Sequence, residues 1–226
     1  IEALSIAKGQ LSFKNDAGLS LVFNRITAQG QLELVGANLM AKFQQFNFRS
    51  GRFENESLAI ALGYAALTQQ LLDDAGRLAA STDELAALSR RHGFAYYADW
   101  GEVLAGWSAD SSAGTARMEH AVARLRRAGA FTRMPYWLEL LAQRTTDPVR
   151  VVALLDAATV SARTHHDVWW LPEVLRRRAA LLPPAAATAM LEQAAALARD
   201  HGSVTLLRRC CDELDTGRTL AERPAP

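Results

Sequence analysis

Apolar residues recur with the spacing of amphipathic helices along most of the chain after residue 50. Between residues 115 and 127, for example, i, i+3, i+4 and i+7 positions of one stripe are occupied by Met118, Ala121, Val122 and Leu125, which is one face of a helix. Short breaks rich in glycine, proline, serine and aspartate separate such segments. The pattern predicts helices over residues 57–72, 81–92, 94–107, 115–127, 134–144, 148–163, 168–182, 184–200 and 204–214.

Several residues at the ends of these segments are typical of helix termini. Ser81 to Glu84 combines hydroxyl and acidic side chains, which cap free backbone N–H groups and suit the positive end of a helix, so we expect a helix to begin there. Gly93 follows His92 and supplies a left-handed residue that ends a helix. Pro148 suits a first helical turn, and Pro183–Pro184 separates two helices.

A short sequence motif at the end of a predicted helix recurs at a nearly constant interval. It ends at Gly93, Gly129, His165 and Gly202, which are 36, 36 and 37 residues apart. A period in the mid-thirties is typical of helical-hairpin solenoids, in which each hairpin buries its apolar face against the next. We therefore predict a mainly α chain. Its helical-repeat domain, a tetratricopeptide-like helical-hairpin solenoid, covers residues 51–217, and a flexible tail covers 218–226.

The first 50 residues follow a different pattern. Leu19–Phe23 and Gln31–Val35 partly alternate apolar and polar residues and contain β-branched and aromatic side chains, which predicts strands. All three lysines and all five asparagines of the chain also lie near this end. We expect a short N-terminal β-rich segment at residues 1–50. It is interpreted as a small sheet that packs on the helices, or alternatively as a ligand-binding β module.

The composition of the chain indicates its expected location and the partners it is not expected to bind. The 226 residues are 50% hydrophobic and carry a net charge of +1, so no general attraction to nucleic acid or to an acidic membrane surface is expected. No window approaches 18 uncharged apolar residues, which argues against a transmembrane helix. The only cysteines, Cys210 and Cys211, are neighbours and fit a reducing cytoplasm. Because the chain starts at Ile1 without a signal pattern, we expect a cytoplasmic fragment.

No motif in the sequence indicates catalysis. Glycine-rich phosphate loops, Gly-x-Ser-x-Gly, zinc-ligand spacings and cyclase aspartate motifs are all absent from it. His165–Asp167 contains possible metal ligands, but adjacent histidines at a helix end point apart, so a polar helix terminus is the preferred interpretation. Cys210 and Cys211 are interpreted as small packing residues. We expect no enzyme activity, no metal and no cofactor.

Two groups of side chains are candidates for binding. Arginines cluster at 124–127, 176–178 and 208–209 and would suit an anionic partner, but acidic residues are nearly as numerous, so solvent-exposed faces are the simpler interpretation. Aromatic residues concentrate in the first helix of each predicted pair, which normally lines the concave surface of a solenoid. Core packing is the alternative interpretation of these aromatic residues. The binding candidates on the concave face are Tyr96, Tyr97, Trp100, Tyr136, Trp137, Trp169 and Trp170.

The run from Trp100 to Trp107 reads Trp-Gly-Glu-Val-Leu-Ala-Gly-Trp. It resembles a Trp-Gly-x-x-Leu-x-Gly-Trp phrase in the tetratricopeptide-like C-terminal regions of large bacterial signalling ATPases. These ATPases carry class III adenylate/guanylate cyclase domains or LuxR/MalT-type DNA-binding domains. The resemblance covers roughly residues 56–217 and leaves out 1–50. Further matching positions are Met134 to Tyr136, Leu140 to Ala142, Trp169, Trp170, Glu173, Arg176, Leu181, Leu182, Leu191, Ala194, Ala198, Arg199, Gly202, Leu206 and Arg209.

This resemblance implies a non-catalytic protein-interaction or sensor module of a bacterial multidomain signal-transduction or transcriptional regulator. Its partner would be another protein or the ATPase or output domain of its own chain. The alternative is a small-ligand receptor that binds an inducer at the aromatic-lined concave face. A closed aromatic pocket would favour the receptor, and an open apolar groove would favour the interaction module. An enzyme that uses the β segment would need titratable residues between the two parts of the chain.

Overall fold

The described part of the chain is mainly α-helical, as predicted. The computed structural model describes the backbone of residues 4–14, 20–35, 38–49 and 51–221 and the side chains of residues 56–216. The helices are α1 (Gly51–Leu71), α2 (Ala75–His92), α3 (Ala95–Ser108), α4 (Ser112–Arg127), α5 (Met134–Gln143), α6 (Pro148–Thr164), α7 (Leu171–Ala179), α8 (Pro184–Asp200) and α9 (Val204–Ala221).

Among the residues that the structure describes before α1, three strands are present. They are β1 (Leu4–Lys14), β2 (Ser20–Val35) and β3 (Asn38–Arg49). Each pairs antiparallel with the next in the order β1-β2-β3, with Ser5 opposite Gln29 and Glu33 opposite Met40. The two interpretations of this segment, a sheet packed on the helices or a ligand-binding module, depend on side chains that lie outside the described residues.

The repeated sequence motif lies at the ends of the even-numbered helices. Gly93, Gly129 and Gly202 follow α2, α4 and α8 and have φ values of 71°, 69° and 66°, in the left-handed region that suits glycine. After α6 this conformation is adopted by His166, with φ 54°, one position after His165, at which the repeated motif ends in the sequence. Histidine is one of the non-glycine residues that the left-handed region tolerates best. Consecutive left-handed residues at these helix ends are therefore 36, 37 and 36 residues apart.

The start of α2 differs from the prediction. The helix begins at Ala75 rather than at Ser81, and Asp74 caps it by accepting a hydrogen bond from the backbone N–H of Arg77 at 3.1 Å. Thr82 is buried inside the helix and donates its hydroxyl to the carbonyl of Leu78 at 3.0 Å. A hydroxyl side chain inside a helix can satisfy itself in this way, so a serine–threonine pair is an ambiguous start signal.

Two later helices also differ in length from their predicted segments. Helix α7 covers nine residues, Leu171–Ala179, where 168–182 was predicted. Helix α9 continues to Ala221, so residues 218–221 of the segment expected to be a flexible tail are helical. Residues 222–226 of that segment lie outside the described residues.

Consecutive helices pack against each other along the chain, and each odd-numbered helix also contacts the next odd-numbered one. Helix α5 lies at the centre of this packing, because every residue from Met134 to Ala142 is buried. A helix that is apolar on nearly all sides is buried on all sides. None of the helices described combines the length and the apolar character needed to cross a membrane.

Small residues lie at several helix contacts. Ala121, Ala158, Ala194 and Ala195 are buried, and Ala157 is partly buried against the same core. Side chains without bulk let neighbouring helices approach closely, and the larger residues around them fill the remaining space. Cys210 also belongs to this core, as expected, while Cys211 is half-buried.

Candidate binding cavity on the odd-numbered helices

The aromatic residues singled out in the sequence form one connected cluster. The ring of Trp100 lies 5.5 Å from that of Tyr96, 5.9 Å from that of Tyr97 and 5.4 Å from that of Trp137, measured between centroids. Edge and tilted arrangements of this kind are favourable for aromatic pairs. Helices α3 and α5 are therefore joined largely through their aromatic side chains.

Tyr136 extends this cluster from α5 to the residues that precede α7. Its ring centroid lies 4.8 Å from that of Trp137, 5.6 Å from that of Trp169 and 5.1 Å from that of Trp170. Its hydroxyl donates a hydrogen bond to Oε1 of Gln70 on α1 at 2.6 Å. Burial raises the pKa of Tyr136 well above its usual range, and the nearby Glu139 contributes to the same shift.

The seven candidates differ in their access to solvent. Four of them are buried in the core, which was the alternative interpretation of the sequence, and one of these four, Trp170, also lines the cavity described below. Three are half-buried, and binding through any of the seven stays a prediction. The buried residues are Trp100, Tyr136, Trp137 and Trp170, and the half-buried ones are Tyr96, Tyr97 and Trp169.

An arginine of the chain covers part of the aromatic cluster. The guanidinium of Arg133 lies 4.5 Å from the ring centroid of Trp100 and 4.8 Å from that of Tyr64, and it donates a hydrogen bond to the Tyr64 hydroxyl. Arg133 has a left-handed backbone, with φ 64°, and its N–H donates to the carboxylate of Asp167. A cavity of about 240 Å³ beside Arg133 is lined by Tyr64, Leu67, Thr132, Arg133, Asp167 and Trp169.

His165 and Asp167 have structural contacts. The ring of His165 stacks on that of Phe131 with 4.2 Å between centroids, and Asp167 is engaged by Arg133. Within residues 56–216, no three or more histidine, cysteine, aspartate or glutamate side chains are grouped so that they could hold a metal ion. Burial raises the pKa of the Cys210 thiol to about 11, so this thiol is protonated at neutral pH.

Side chains from all five odd-numbered helices meet around one polar cavity of about 300 Å³, which we call the five-helix cavity. Asp73 is exposed and Arg177 and Arg209 are partly exposed, so the cavity is open to solvent. Its volume lies at the lower end of the range found for small-molecule sites. The lining residues are Gln70, Leu71, Asp73, Trp107, Gln143, Trp170, Glu173, Arg176, Arg177 and Arg209.

A fully buried carboxylate, that of Glu139 on α5, lies below the arginines of this cavity. Glu139 is 0% exposed. Its Oε1 accepts hydrogen bonds from Nε2 of Gln143 at 2.8 Å and from Nε of Arg177 at 3.1 Å, and its Oε2 accepts one from Nε1 of Trp170 at 3.2 Å. Burial raises the pKa of Glu139, although the hydrogen bond from Gln143 and the charge of Arg177 act in the opposite direction.

A second buried carboxylate, that of Glu173 on α7, holds two further arginines. Arg176 donates to it from Nε at 2.9 Å and from Nη2 at 2.7 Å, and Nη1 of Arg209 lies 3.5 Å away. Burial alone would raise the pKa of Glu173, but the hydrogen bonds and charge of Arg176 outweigh it and hold the pKa below the usual range. Glu173 is therefore ionised at neutral pH.

Gln143 connects the two sides of the cavity. Its Oε1 accepts a hydrogen bond from Nε1 of Trp107 at 2.9 Å, while its Nε2 donates to Glu139. Because the amide has a donor at one end and an acceptor at the other, these two contacts together fix its orientation. Trp107, Glu139 and Arg177 are therefore held in place by one continuous hydrogen-bonded chain.

Many of these contacts join residues one repeat apart. Trp107 and Gln143 are separated by 36 positions, and Arg177 and Glu139 by 38. The Nε of Arg144 donates to the Trp107 carbonyl at 2.8 Å across 37 positions. These separations resemble the interval between helix ends, so equivalent positions of consecutive hairpins contact each other in the folded chain.

The sequence favours solvent-exposed faces as the interpretation of the arginine clusters. That interpretation holds for Arg208, which is exposed, while Arg178 is paired with Asp156 at 2.9 Å. It holds only in part for Arg176, Arg177 and Arg209, which are partly exposed and line the cavity. The buried glutamates were missed. One signal in the sequence could have indicated a buried carboxylate: Glu139 is a single acidic residue inside the otherwise apolar segment Met134–Ala142.

Comparisons with known proteins give no relative for this chain: no protein-family model matches it, and neither a curated protein nor a solved structure matches it significantly. The site is therefore interpreted from its own geometry. It consists of guanidinium groups that buried carboxylates hold at the surface of a shared cavity.

Proposed function

We propose that residues 51–217 form a tetratricopeptide-like helical-hairpin solenoid that serves as a non-catalytic protein-interaction and sensor module. The parent protein would be a bacterial multidomain signal-transduction or transcriptional regulator. The left-handed residues after α2, α4, α6 and α8 and the contacts between residues one repeat apart support the repeat architecture. The proposed class of regulator is supported by the resemblance of Trp100 to Trp107 to a motif of bacterial signalling ATPases.

The observation that carries this proposal is the five-helix cavity itself. Each odd-numbered helix contributes to it, so its shape depends on how all the hairpins stack. Burying Glu139 and Glu173 has a large desolvation cost, and apolar residues of similar volume would stabilise the helices at least as well. In return, arginines held by these carboxylates give the chain a defined, charged binding surface. The occupant would be a partner protein or the ATPase or output domain of the same chain.

A small-molecule receptor is the second candidate, and the dimensions of the cavity favour it. A volume of about 300 Å³ fits a small organic molecule. The indole rings of Trp107 and Trp170 provide apolar walls beside the arginines. In this version of the function, an inducer would bind the cavity and alter how the hairpins stack.

Site-specific photo-cross-linking in the full-length protein tests the proposed surface. A photoreactive amino acid replaces Leu71, which lines the cavity, because this change leaves the arginines intact. The matched control replaces Val160 on α6, which is 64% exposed and lies outside the cavity. We expect a discrete cross-linked protein segment from position 71 and much less from position 160, with the segment identified by peptide mass spectrometry.

The two candidates give different results in this experiment. A cross-linked partner or domain at position 71 supports the interaction module. A thermal shift of the same protein with a small molecule, without any protein cross-link at position 71, supports the receptor. Equal cross-linking from positions 71 and 160, or none from either without any small-molecule shift, would contradict the proposed binding surface.

A further inference from the structure

Helices α4 and α6 leave a groove between them, which we call the α4–α6 groove. Both helices pack on α5, but in the part of the chain that the structure describes they do not pack closely on each other. The groove has a volume of about 630 Å³ and shares no residue with the five-helix cavity. Its walls come from the segment Glu119 to Arg127 on α4 and from Arg150 and Leu154 on α6.

Two of the four arginines that line this groove are neutralised by carboxylates. Nη2 of Arg124 lies 2.7 Å from Oδ1 of Asp99, and Nη2 of Arg150 lies 2.6 Å from Oε1 of Glu119. The second of these ion pairs joins the two walls of the groove. The four residues together therefore contribute no net charge.

The other two arginines, Arg126 and Arg127, are unpaired. Both are exposed in the last turn of α4, and within residues 56–216 neither has an ion pair or a hydrogen bond. Because Glu119 is the single carboxylate among the lining residues and is already paired, the groove has two positive charges in excess. His120, which is exposed in the same lining, adds to this excess when it is protonated.

Helix polarity alone would also favour arginines at these positions, since basic side chains stabilise the negative end of a helix. Arg163 and Arg199 lie at the ends of α6 and α8, each three positions before the left-handed residue, as Arg126 does. They are exposed like Arg126 but do not line the groove. They are therefore matched controls that separate a binding role from the effect of helix polarity.

The groove also offers a small apolar surface beside its charges. Ala123 is exposed on the α4 wall and Leu154 is half-buried on the α6 wall, whereas Leu138 and Leu141 are buried beneath them. The aliphatic parts of the arginine side chains add to this surface. A matching ligand therefore combines anionic groups with an apolar group.

This combination favours an acidic protein segment over a nucleic acid. A carboxylate accepts two hydrogen bonds from the planar fork of a guanidinium, and two carboxylates would neutralise the excess charge. A nucleic acid would instead bring a continuous row of phosphates close to Glu119, and the net charge of +1 provides no general attraction for it. An apolar side chain of a protein segment can contact Leu154, which a phosphate backbone does not use.

We propose that the α4–α6 groove binds an acidic segment of a partner protein. Two carboxylates of the segment pair with Arg126 and Arg127, and an apolar side chain lies against Ala123 and Leu154. This inference goes beyond the proposed function, because it assigns a second interaction surface and the chemistry of its partner. It does not depend on the five-helix cavity.

Fluorescence anisotropy of the full chain with the fluorescein-labelled peptide Glu-Leu-Glu-Glu-Leu-Glu tests this inference. We expect a dissociation constant below about 1 mM at low ionic strength. A peptide with glutamine in place of every glutamate should bind at least about tenfold more weakly, because it lacks the charges that the arginines require. Serine in place of both leucines should weaken binding by about threefold or more. A labelled thymidine decanucleotide should bind more weakly than the acidic peptide.

The double variant Arg126→Glu/Arg127→Glu is decisive. It removes no contact between the described residues, and we expect it to weaken binding of the acidic peptide by about thirtyfold or more. The milder variant Arg126→Gln/Arg127→Gln should weaken it by about tenfold. The matched control Arg163→Glu/Arg199→Glu changes the net charge equally and should bind within about threefold of the wild type. Circular dichroism checks that each variant is folded.

Four results would overturn the assignment. They are the absence of acidic-peptide binding, equal or tighter binding of the glutamine peptide or of the oligonucleotide, unchanged binding by both Arg126/Arg127 variants, and an equal loss in the Arg163/Arg199 control. The last result would show that only the net charge matters. Cross-linking from position 71 reports on the five-helix cavity alone, so failure of this inference is distinguishable from failure of the proposed function.

Discussion

Gly106 of α3 and Gly114 of α4 approach each other through their backbones. A Cβ atom on Gly106 would lie 2.6 Å from the carbonyl oxygen of Gly114, and one on Gly114 would lie 2.5 Å from the carbonyl oxygen of Gly106. Neither separation is possible for real carbon and oxygen atoms without movement of a helix. The close contact between the two helices therefore requires glycine at both positions.

Gly106→Ala should destabilise the chain. The added methyl group meets backbone rather than a side chain that can move away, so the α3–α4 contact has to open. We expect the free energy of unfolding to fall by about 1–3 kcal/mol, the usual range for overpacking. Urea unfolding followed by circular dichroism measures this difference.

Gly101→Ala on the same helix is the matched control. The nearest atom to an added Cβ at this position is the Thr82 carbonyl oxygen at 3.6 Å, an ordinary van der Waals distance. Alanine is favoured over glycine inside a helix by up to about 1 kcal/mol, so stability should stay equal or increase. If the two variants had the same stability, the close α3–α4 contact would not exist as described.

Much of the fold follows from local patterns in the sequence. The left-handed end at Gly93 and the boundaries of α8 at Pro184 and Asp200 agree with the prediction. These features depend on a few neighbouring residues. The predicted start of α2 is wrong because Ser81 and Thr82 resemble a cap, whereas the cap in the structure is Asp74.

The candidate cavity could not be predicted in the same way. Its hydrogen bonds join residues that are far apart in the sequence, such as Trp170 and Glu139 at 31 positions and Arg177 and Glu139 at 38. Hydrophobic periodicity shows which helix face is buried but not which buried polar groups meet. The same limit applies to Trp100 and Trp137, since an aromatic residue on the inner helix of a hairpin can face either the core or a groove.

Tyr136→Phe should weaken the connection between α1 and α5. The change keeps the aromatic ring contacts but removes the hydroxyl that donates to Gln70, which is itself buried. The side-chain oxygen Oε1 of Gln70 then has no hydrogen-bond donor among the described residues. We expect a loss of about 1–3 kcal/mol, the usual cost of an unsatisfied buried acceptor.

Tyr96→Phe is the control for this loss, because Tyr96 is half-buried and its hydroxyl makes no hydrogen bond within residues 56–216. Its free energy of unfolding should change by less than about 0.5 kcal/mol. Chemical denaturation of both variants under the same conditions gives the comparison. An equal effect of the two substitutions would show that the Tyr136–Gln70 hydrogen bond does not contribute to stability.

Ala194→Leu should disturb the packing of α8. Ala194 is fully buried at a contact where a small residue is needed, and leucine adds three carbon atoms to it. A loss of about 1–3 kcal/mol is expected from overpacking. Ala196→Leu places the same side chain on the exposed face of the same helix and should have little effect. Thermal unfolding of the pair tests the prediction, and equal melting temperatures would contradict the assigned faces of α8.

The buried carboxylate of Glu139 should make stability depend on pH in a recognisable direction. Burial raises its pKa above the ordinary value of 4.5, so just above pH 4.5 the folded chain holds a proton that the unfolded chain has released. The contribution of this group to stability therefore falls as the pH rises through that window. Glu139→Gln removes the titration, so from pH 4 to pH 7 the stability of the variant should improve relative to the wild type.

Glu173→Gln should show the opposite trend. Since Arg176 holds the pKa of Glu173 below its ordinary value, the stability that its carboxylate provides is present above that value and is lost as the pH falls. This variant should lose more stability relative to the wild type at pH 7 than at pH 4. Glu192→Gln, at an exposed position, should follow the wild type at both pH values. Urea unfolding of the three variants at each pH measures these differences. Parallel pH profiles for Glu139→Gln and Glu173→Gln would show that the two carboxylates do not have the opposite environments described above.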